Sequence, residues 1–207
     1  MFVEQILTGG DRNFAYIICE PESHSAAIID PSFDPKRIND RVSELGMNVK
    51  YILNTHDHHD HTNGNEEMGQ LVGRSALSFG MTDTVSGITL NDGAELPLGE
   101  TSIRVIHTPG HTEDSVCYLV EKSLFTGDTL FVGKVGGTDF GDQAKTQFES
   151  LHRKLMILPD DTRVFPGHDV GVKAHSMIGD EKKNNPFLLR KRFADFVELK
   201  KNWLAYK

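Results

Sequence analysis

Three stretches of this chain share one design, a β-rich run ending in a glycine turn that presents a single side chain able to bind metal. They are Thr108-Pro109-Gly110-His111, Phe125-Thr126-Gly127-Asp128 and Phe165-Pro166-Gly167-His168. Each glycine lets the backbone turn sharply, or lets a neighbour approach closely, just where the next side chain must point into a pocket. A fourth and denser stretch leaves the apolar run Val49 to Leu53. There Thr55-His56-Asp57-His58-His59-Asp60-His61 packs six consecutive imidazoles or carboxylates into one turn, closed by Gly64. The fold must therefore bring several strand ends to one place.

Neutral imidazole nitrogens and carboxylate oxygens are the donors that Zn²⁺ or Fe²⁺ takes. An i, i+2 pair leaving a strand points both rings the same way, so His56 and His58 share one ion. Asp60 and His61, past the turn, face a second. The donors His56, His58, Asp60, His61, His111, Asp128 and His168 are too many for one four-coordinate ion and suit two if a carboxylate bridges. Asp128 is the natural bridge. His24, His59, His107, His152 and His175 carry no such context and read as structural or solvent-facing. An exposed tract that merely scavenges metal would explain the first motif alone, and the downstream ligands weigh against it.

The remaining pattern is mixed α/β. Phe14 to Cys19 and Ala26 to Asp30 are apolar runs around the turn-like Pro21-Glu22-Ser23 and read as a hairpin. Asp34 as cap, Pro35 at the first position, the spacing of Ile38, Val42 and Leu45, and Gly46 as stop predict a helix. Strands are expected at Val49 to Leu53, Ser102 to His107, Ser115 to Val120, Ser123 to Thr126 and Arg163 to Phe165. A helix over Gln147 to Leu158 would put Phe148, Leu151 and Leu155 on one stripe before Pro159, and a last helix is expected over about Leu189 to Tyr206. At 207 residues and 38% hydrophobic content, the chain reads as a single domain, 1–207, with a short C-terminal helical extension at about 186–207.

Twenty-two basic residues stand against 30 acidic ones, a net charge of -8, which removes the attraction that nonspecific binding to nucleic acid needs. No stretch approaches the roughly 18 apolar residues of a membrane span, and the start lacks a basic leader. A cytoplasmic protein without membrane contact is expected. Cys19 and Cys117, each alone in an apolar segment, read as buried reduced thiols.

The stretch Thr55 to His61, with His111, Asp128 and His168, resembles the signature of the metallo-β-lactamase superfamily. The surrounding Thr108 to Thr112, Phe125 to Phe131 and Phe165 to Asp169 are similar to its hydroxyacylglutathione hydrolase (glyoxalase II) branch. The likeness runs from about Phe14 to Leu188. It implies an αββα sandwich, two mixed sheets face to face with helices outside and metals at one edge. It also implies that His56, His58 and His111 hold the first metal, Asp60, His61 and His168 the second, and Asp128 both. The branch takes two divalent ions, zinc first, with iron or a mixed pair as the other options.

Such a pair suits hydrolysis, because two adjacent cations lower the pKa of a shared, bridging water toward about 7 and polarise a carbonyl. A thioester is the expected bond: a thiolate of pKa about 8.5 leaves without a strong general acid, and none is evident near the ligands. The substrate is then a small acyl-thiol; Asp60 and Asp128 are the expected catalytic residues, Asp60 orienting the hydroxide, and no residue is assigned to substrate binding. The branch reads glutathione partly through a basic residue where this chain has Gly137, and 39 residues follow His168 in place of the longer helical domain. Lys182, Lys183, Arg190, Lys191 and Arg192 read as a solvated helix face. A homodimer is compatible with all of this.

The main rival is oxidation. Persulfide dioxygenases of the superfamily resemble the chain at Thr138-Asp139-Phe140 and Ser150-Leu151-His152, and use one Fe²⁺ held here by His56, His111 and Asp128, with open positions for O₂ and a thiolate. A two-metal nuclease is disfavoured by the acidic balance and by the lack of a basic or aromatic-interleaved stripe.

Overall fold

A computed structural model of the protein describes residues 1–203. The first half contains β1 (Phe2–Gly9), β2 (Asn13–Glu20), β3 (Ser25–Ile29), α1 (Pro35–Glu44), β4 (Asn48–Leu53), α2 (His59–Thr62), α3 (Asn65–Val72) and β5 (Ala76–Leu77). The second contains β6 (Glu95–Leu98), β7 (Thr101–His107), β8 (Val116–Val120), β9 (Ser123–Gly127), β10 (Leu130–Phe131), β11 (Lys134–Val135), α4 (Asp142–Ser150), β12 (Arg163–Pro166), β13 (Ser176–Met177), α5 (Ile178–Asn184) and α6 (Phe193–Lys201). One sheet has five strands in the order β1-β2-β3-β4-β5, and the other six in the order β13-β12-β9-β8-β7-β6. Both are mixed: β3, β4 and β5 run parallel, as do β9 and β12, and the other neighbours are antiparallel.

Alternation along the strands builds the layers. In β2, Tyr16 and Ile18 join Ile29 and Leu53 against Val105, Tyr118, Phe125 and Phe165 of the second sheet. Their neighbours Ala15, Ile17 and Cys19 point the other way, onto Ile38 and Val42 of α1 and Met68 of α3. On the far side of the second sheet, Cys117, Leu124 and Val164 meet Ala144 of α4, Ile178 of α5 and Phe196 of α6. Three apolar layers stacked around two sheets make the αββα sandwich.

The cap on α1 is as the sequence predicts, with Asp34 Oδ1 accepting from Arg37 N at 3.2 Å and Pro35 in the first turn. The expected single helix over Gln147 to Leu158 is instead α4 from Asp142, followed by a π-helical turn over Leu151–Leu155. The wider turn still buries Leu151 and Leu155, while Ser150 Oγ reaches Pro109 O at 2.8 Å. The last helix starts at Phe193, not Leu189, which is exposed, and the expected continuation through Leu204 to Tyr206 lies outside the described residues. Cys19 and Cys117 are buried free thiols, raised by desolvation to about 11 and about 12. No helix among the described residues is long and apolar enough to cross a membrane.

Phe125 is fully buried, edge-on to Tyr16 at 5.1 Å and stacked on Phe165 at 5.2 Å. It therefore joins the two sheets. Phe125→Ala should lower the unfolding free energy by about 3–5 kcal/mol in urea titration; a loss under about 1 kcal/mol would mean the sheets do not share this core.

Candidate metal centre

All the donors read from the sequence meet at one edge of the sandwich. The turn after β4 carries His56 and His58, and α2 carries Asp60 and His61; His111 follows β7, Asp128 follows β9 and His168 follows β12. Two glycines show why the run-glycine-ligand design recurs. Gly127 has φ +46° and places Asp128 beside the next strand end. At Gly167 the cause is closeness: a Cβ there would lie 2.5 Å from Asp128 Oδ1 and 2.9 Å from His61 Cε1.

Three sets bring their donor atoms within 4.8 Å of one another: His56, His58 and His111; Asp60, His61 and His168; and His56, His61 and Asp128. Asp128 spans the other two. Its Oδ1 lies 3.4 Å from both His61 Nε2 and His168 Nε2, and its Oδ2 lies 3.6 Å from His111 Nε2. Oδ1 is buried without a hydrogen-bond partner among the described residues. The five other histidines fall in none of these sets; His107, for example, stacks on Phe79 at 3.9 Å.

The backs of the rings explain which nitrogen faces the centre. His61 Nδ1 donates to Asp30 Oδ2 at 2.9 Å, His168 Nδ1 to Asp11 O at 2.9 Å and His111 Nδ1 to Gly137 O at 2.7 Å. Thr55 Oγ1 gives its only proton to Asp30 Oδ2 at 2.7 Å, so His56 Nδ1 donates to Thr55 Oγ1 at 3.0 Å. Four rings thus present Nε2 to the centre, and His58 presents Nδ1, 3.1 Å from His56 Nε2 and 3.0 Å from His111 Nε2. His61 and His168 both donate through Nδ1, so as neutral rings they have no proton to place between their Nε2 atoms, 3.2 Å apart, and the lone pairs repel. Ligand nitrogens about 2.05 Å from a tetrahedral zinc stand about 3.3 Å apart, so the spacing fits a divalent cation.

The charges agree. Burial disfavours the His61 imidazolium, but Asp30 and Asp128 outweigh it and hold the ring near a pKa of about 10. Burial also works against ionised Asp128, yet His168 and His61 keep its carboxyl well below the usual range. His56, desolvated and beside His61, is pushed down to about 3. Asp60 is lowered too, since Asn13, His61 and His168 together outweigh its partial burial. Without a cation, shared protons balance the site; a cation would displace them.

Two groups here were not evident as functional residues in the sequence. Asp30, expected only as the end of a strand, accepts from Thr55 N at 2.8 Å as well as from Thr55 Oγ1 and His61, and so fixes two ligand rings. A carboxylate closing an apolar strand was the available signal. Lys200, on α6, donates to Gly136 O at 2.8 Å and Gln147 Oε1 at 2.7 Å, holding the loop whose next carbonyl binds His111. Its burial pulls the ammonium down to about 8. A Cβ on Gly136 would lie 1.9 Å from Asp128 O, whereas one on Gly137 would meet nothing within 4 Å.

Sheets that converge on a cluster of imidazoles and carboxylates define a metal-dependent enzyme of the αββα class. A family model for the metallo-beta-lactamase superfamily matches residues 8–73 and 70–168. The chain is 34% identical over 195 residues to a protein named probable polyketide biosynthesis zinc-dependent hydrolase BaeB of Bacillus velezensis, covering 91% of this chain and 87% of the relative. It is 32% identical over 216 residues to the probable hydroxyacylglutathione hydrolase glo2 of Schizosaccharomyces pombe, covering 87% of this chain and 84% of that one. The crystal structure of ETHE1 from Myxococcus xanthus superposes with a TM-score of 0.88 at 30% identity, covering 98% of this chain and 91% of that one. The chain belongs to the metallo-β-lactamase superfamily, in its hydroxyacylglutathione hydrolase-like branch.

His61 carries a proton at neutral pH in the metal-free protein, and a bound ligand ring cannot keep it. The sign follows from the raised pKa. The pairing stabilises the metal-free fold fully below the unfolded value of about 6.5 and is lost as pH rises through about 10. Calorimetric titration of metal-free protein with Zn²⁺ in buffers of different ionisation enthalpy should show about one proton or more released per chain near pH 7, declining as pH approaches about 10. Release that does not vary over that range would exclude His61 as the source.

Proposed function

We propose that this protein hydrolyses a thioester of a small acyl-thiol with a pair of divalent cations, zinc first and iron or a mixed pair as the other options. The observation that carries the reading is the Asp128 carboxylate, one oxygen of which faces His61 and His168 while the other faces His111. His56, His58 and His111 would hold one cation, Asp60, His61 and His168 the other, and Asp128 would touch both. Bound divalent cations lower the pKa of water and polarise a carbonyl, the chemistry that hydrolysis at neutral pH requires.

The protein's own groups set the rest. Asp60 Oδ2 accepts from Asn13 Nδ2, and the side chain is 40% exposed, so the carboxylate is within reach of solvent and would accept a proton from an attacking water. Asp30, Asp11 and Gly137 hold the imidazoles of His61, His168 and His111 in one tautomer, so these three rings keep their orientation as substrate enters. A thioester matches the absence of a general acid from the set, since its thiolate leaves unassisted. The likeness to BaeB and glo2 supports hydrolysis, although the position where the branch carries a basic residue for glutathione is Gly137. We read the chain as one domain, because Phe187, Leu188 and Phe196 of the segment at about 186–207 pack into the same layer as α4. Its two free buried thiols suit a reducing cytoplasm.

A second reading is favoured by the likeness to ETHE1: oxygenation of a persulfide at one Fe²⁺ on His56, His111 and Asp128. Metal content per chain, measured with thioester hydrolysis and with O₂ uptake on a persulfide, separates the two. Two zinc ions with hydrolysis support the first reading, and one iron with O₂ uptake replaces it. Asp60→Ala or Asp128→Ala should reduce turnover by more than about 100-fold in folded protein; full activity in either variant would refute the assignment.

A further inference from the structure

We propose that Asn13 is a positioning residue for Asp60, and through it for the second cation set; this rests on the two-cation reading above. Asn13 is fully buried at the start of β2. Its Nδ2 donates to Asp60 O at 3.1 Å and to Asp60 Oδ2 at 3.0 Å, tying one residue's backbone and side chain together. Both partners are acceptors only, so the amide has one workable orientation: turned over, Oδ1 would face two oxygens. That orientation leaves Oδ1 buried without a partner among the described residues. A buried amide seldom leaves an acceptor unpaired. Here the unpaired atom is the consequence of aiming both hydrogens at Asp60.

The oxygen that Asn13 holds is the one that matters. Asp60 Oδ2 lies 3.4 Å from His168 Nε2 and 3.7 Å from His61 Nε2. With one lone pair engaged by Asn13, the remaining one is directed toward the place where those nitrogens converge. The same stretch of chain fixes His168: Asp11 O accepts from its Nδ1, Asp169 N donates to Arg12 O at 2.9 Å, and Phe14 N donates to Gly167 O at 2.9 Å. Residues 11–14 thus hold two ligands of the second set and none of His56, His58 or His111.

The test is stepwise Zn²⁺ affinity of the full chain, by competition with a chromophoric chelator, for wild type, Asn13→Leu, which keeps the side chain's volume, and Asn13→Ala. The His58→Ala protein identifies which step belongs to the first set. Loss of such an outer hydrogen bond should weaken the second-set ion by about 10–100-fold while the first-set ion changes less than about twofold. Metal-free melting curves should stay cooperative in both variants. Unchanged second-set affinity, or equal weakening of both ions with a lower metal-free melting temperature, overturns the inference and makes Asn13 merely structural. Wild-type protein that takes up only one ion brings down the two-cation reading itself, a result distinct from either.

Discussion

Ring nitrogens facing one another at 3.0 to 3.2 Å are favourable only when a cation or shared protons lie among them. The structure keeps four of the five rings there by anchoring the opposite side of each. Asp30 and Thr55 hold His61 and His56, and main-chain carbonyls hold His168 and His111. These anchors come from separate stretches of chain, so the centre can assemble only when both sheets are packed. The shared core around Tyr16, Tyr118 and Phe125 is therefore a condition for the chemistry as well as for stability.

The candidate donors were legible in the sequence because each sits in a local pattern, a dense His/Asp turn or a strand closed by glycine, whose meaning does not depend on the rest of the fold. Their supports were not. Asp30, Asn13 and Lys200 resemble ordinary strand and helix residues, and only tertiary contacts give them partners. The same distinction explains the elements. The hairpin and α1 were readable from apolar runs, a turn and a cap, whereas β1 mixes Glu4 and Gln5 into a half-exposed strand, and α3 buries only Met68. The π-helical turn after α4 was invisible because its leucines keep a helical spacing while the backbone accommodates Ser150 and Pro109.

Hydrolysis and oxygenation use overlapping donors in this fold, so the difference between them does not lie in which ligands are present. The donor cluster itself divides into two halves. The two halves have different supports, with the loop at Gly136 and Gly137 pinned by α6 on one side and the turn at residues 11–14 on the other.

Gly136 and Gly137 are adjacent yet under opposite constraints, one pressed against the Asp128 carbonyl and the other facing open space. A descendant of this protein could therefore acquire a long, charged side chain at Gly137 by a single codon change, with no rearrangement of the centre beneath it. The rim can change its chemistry there while the donor cluster beneath is inherited intact.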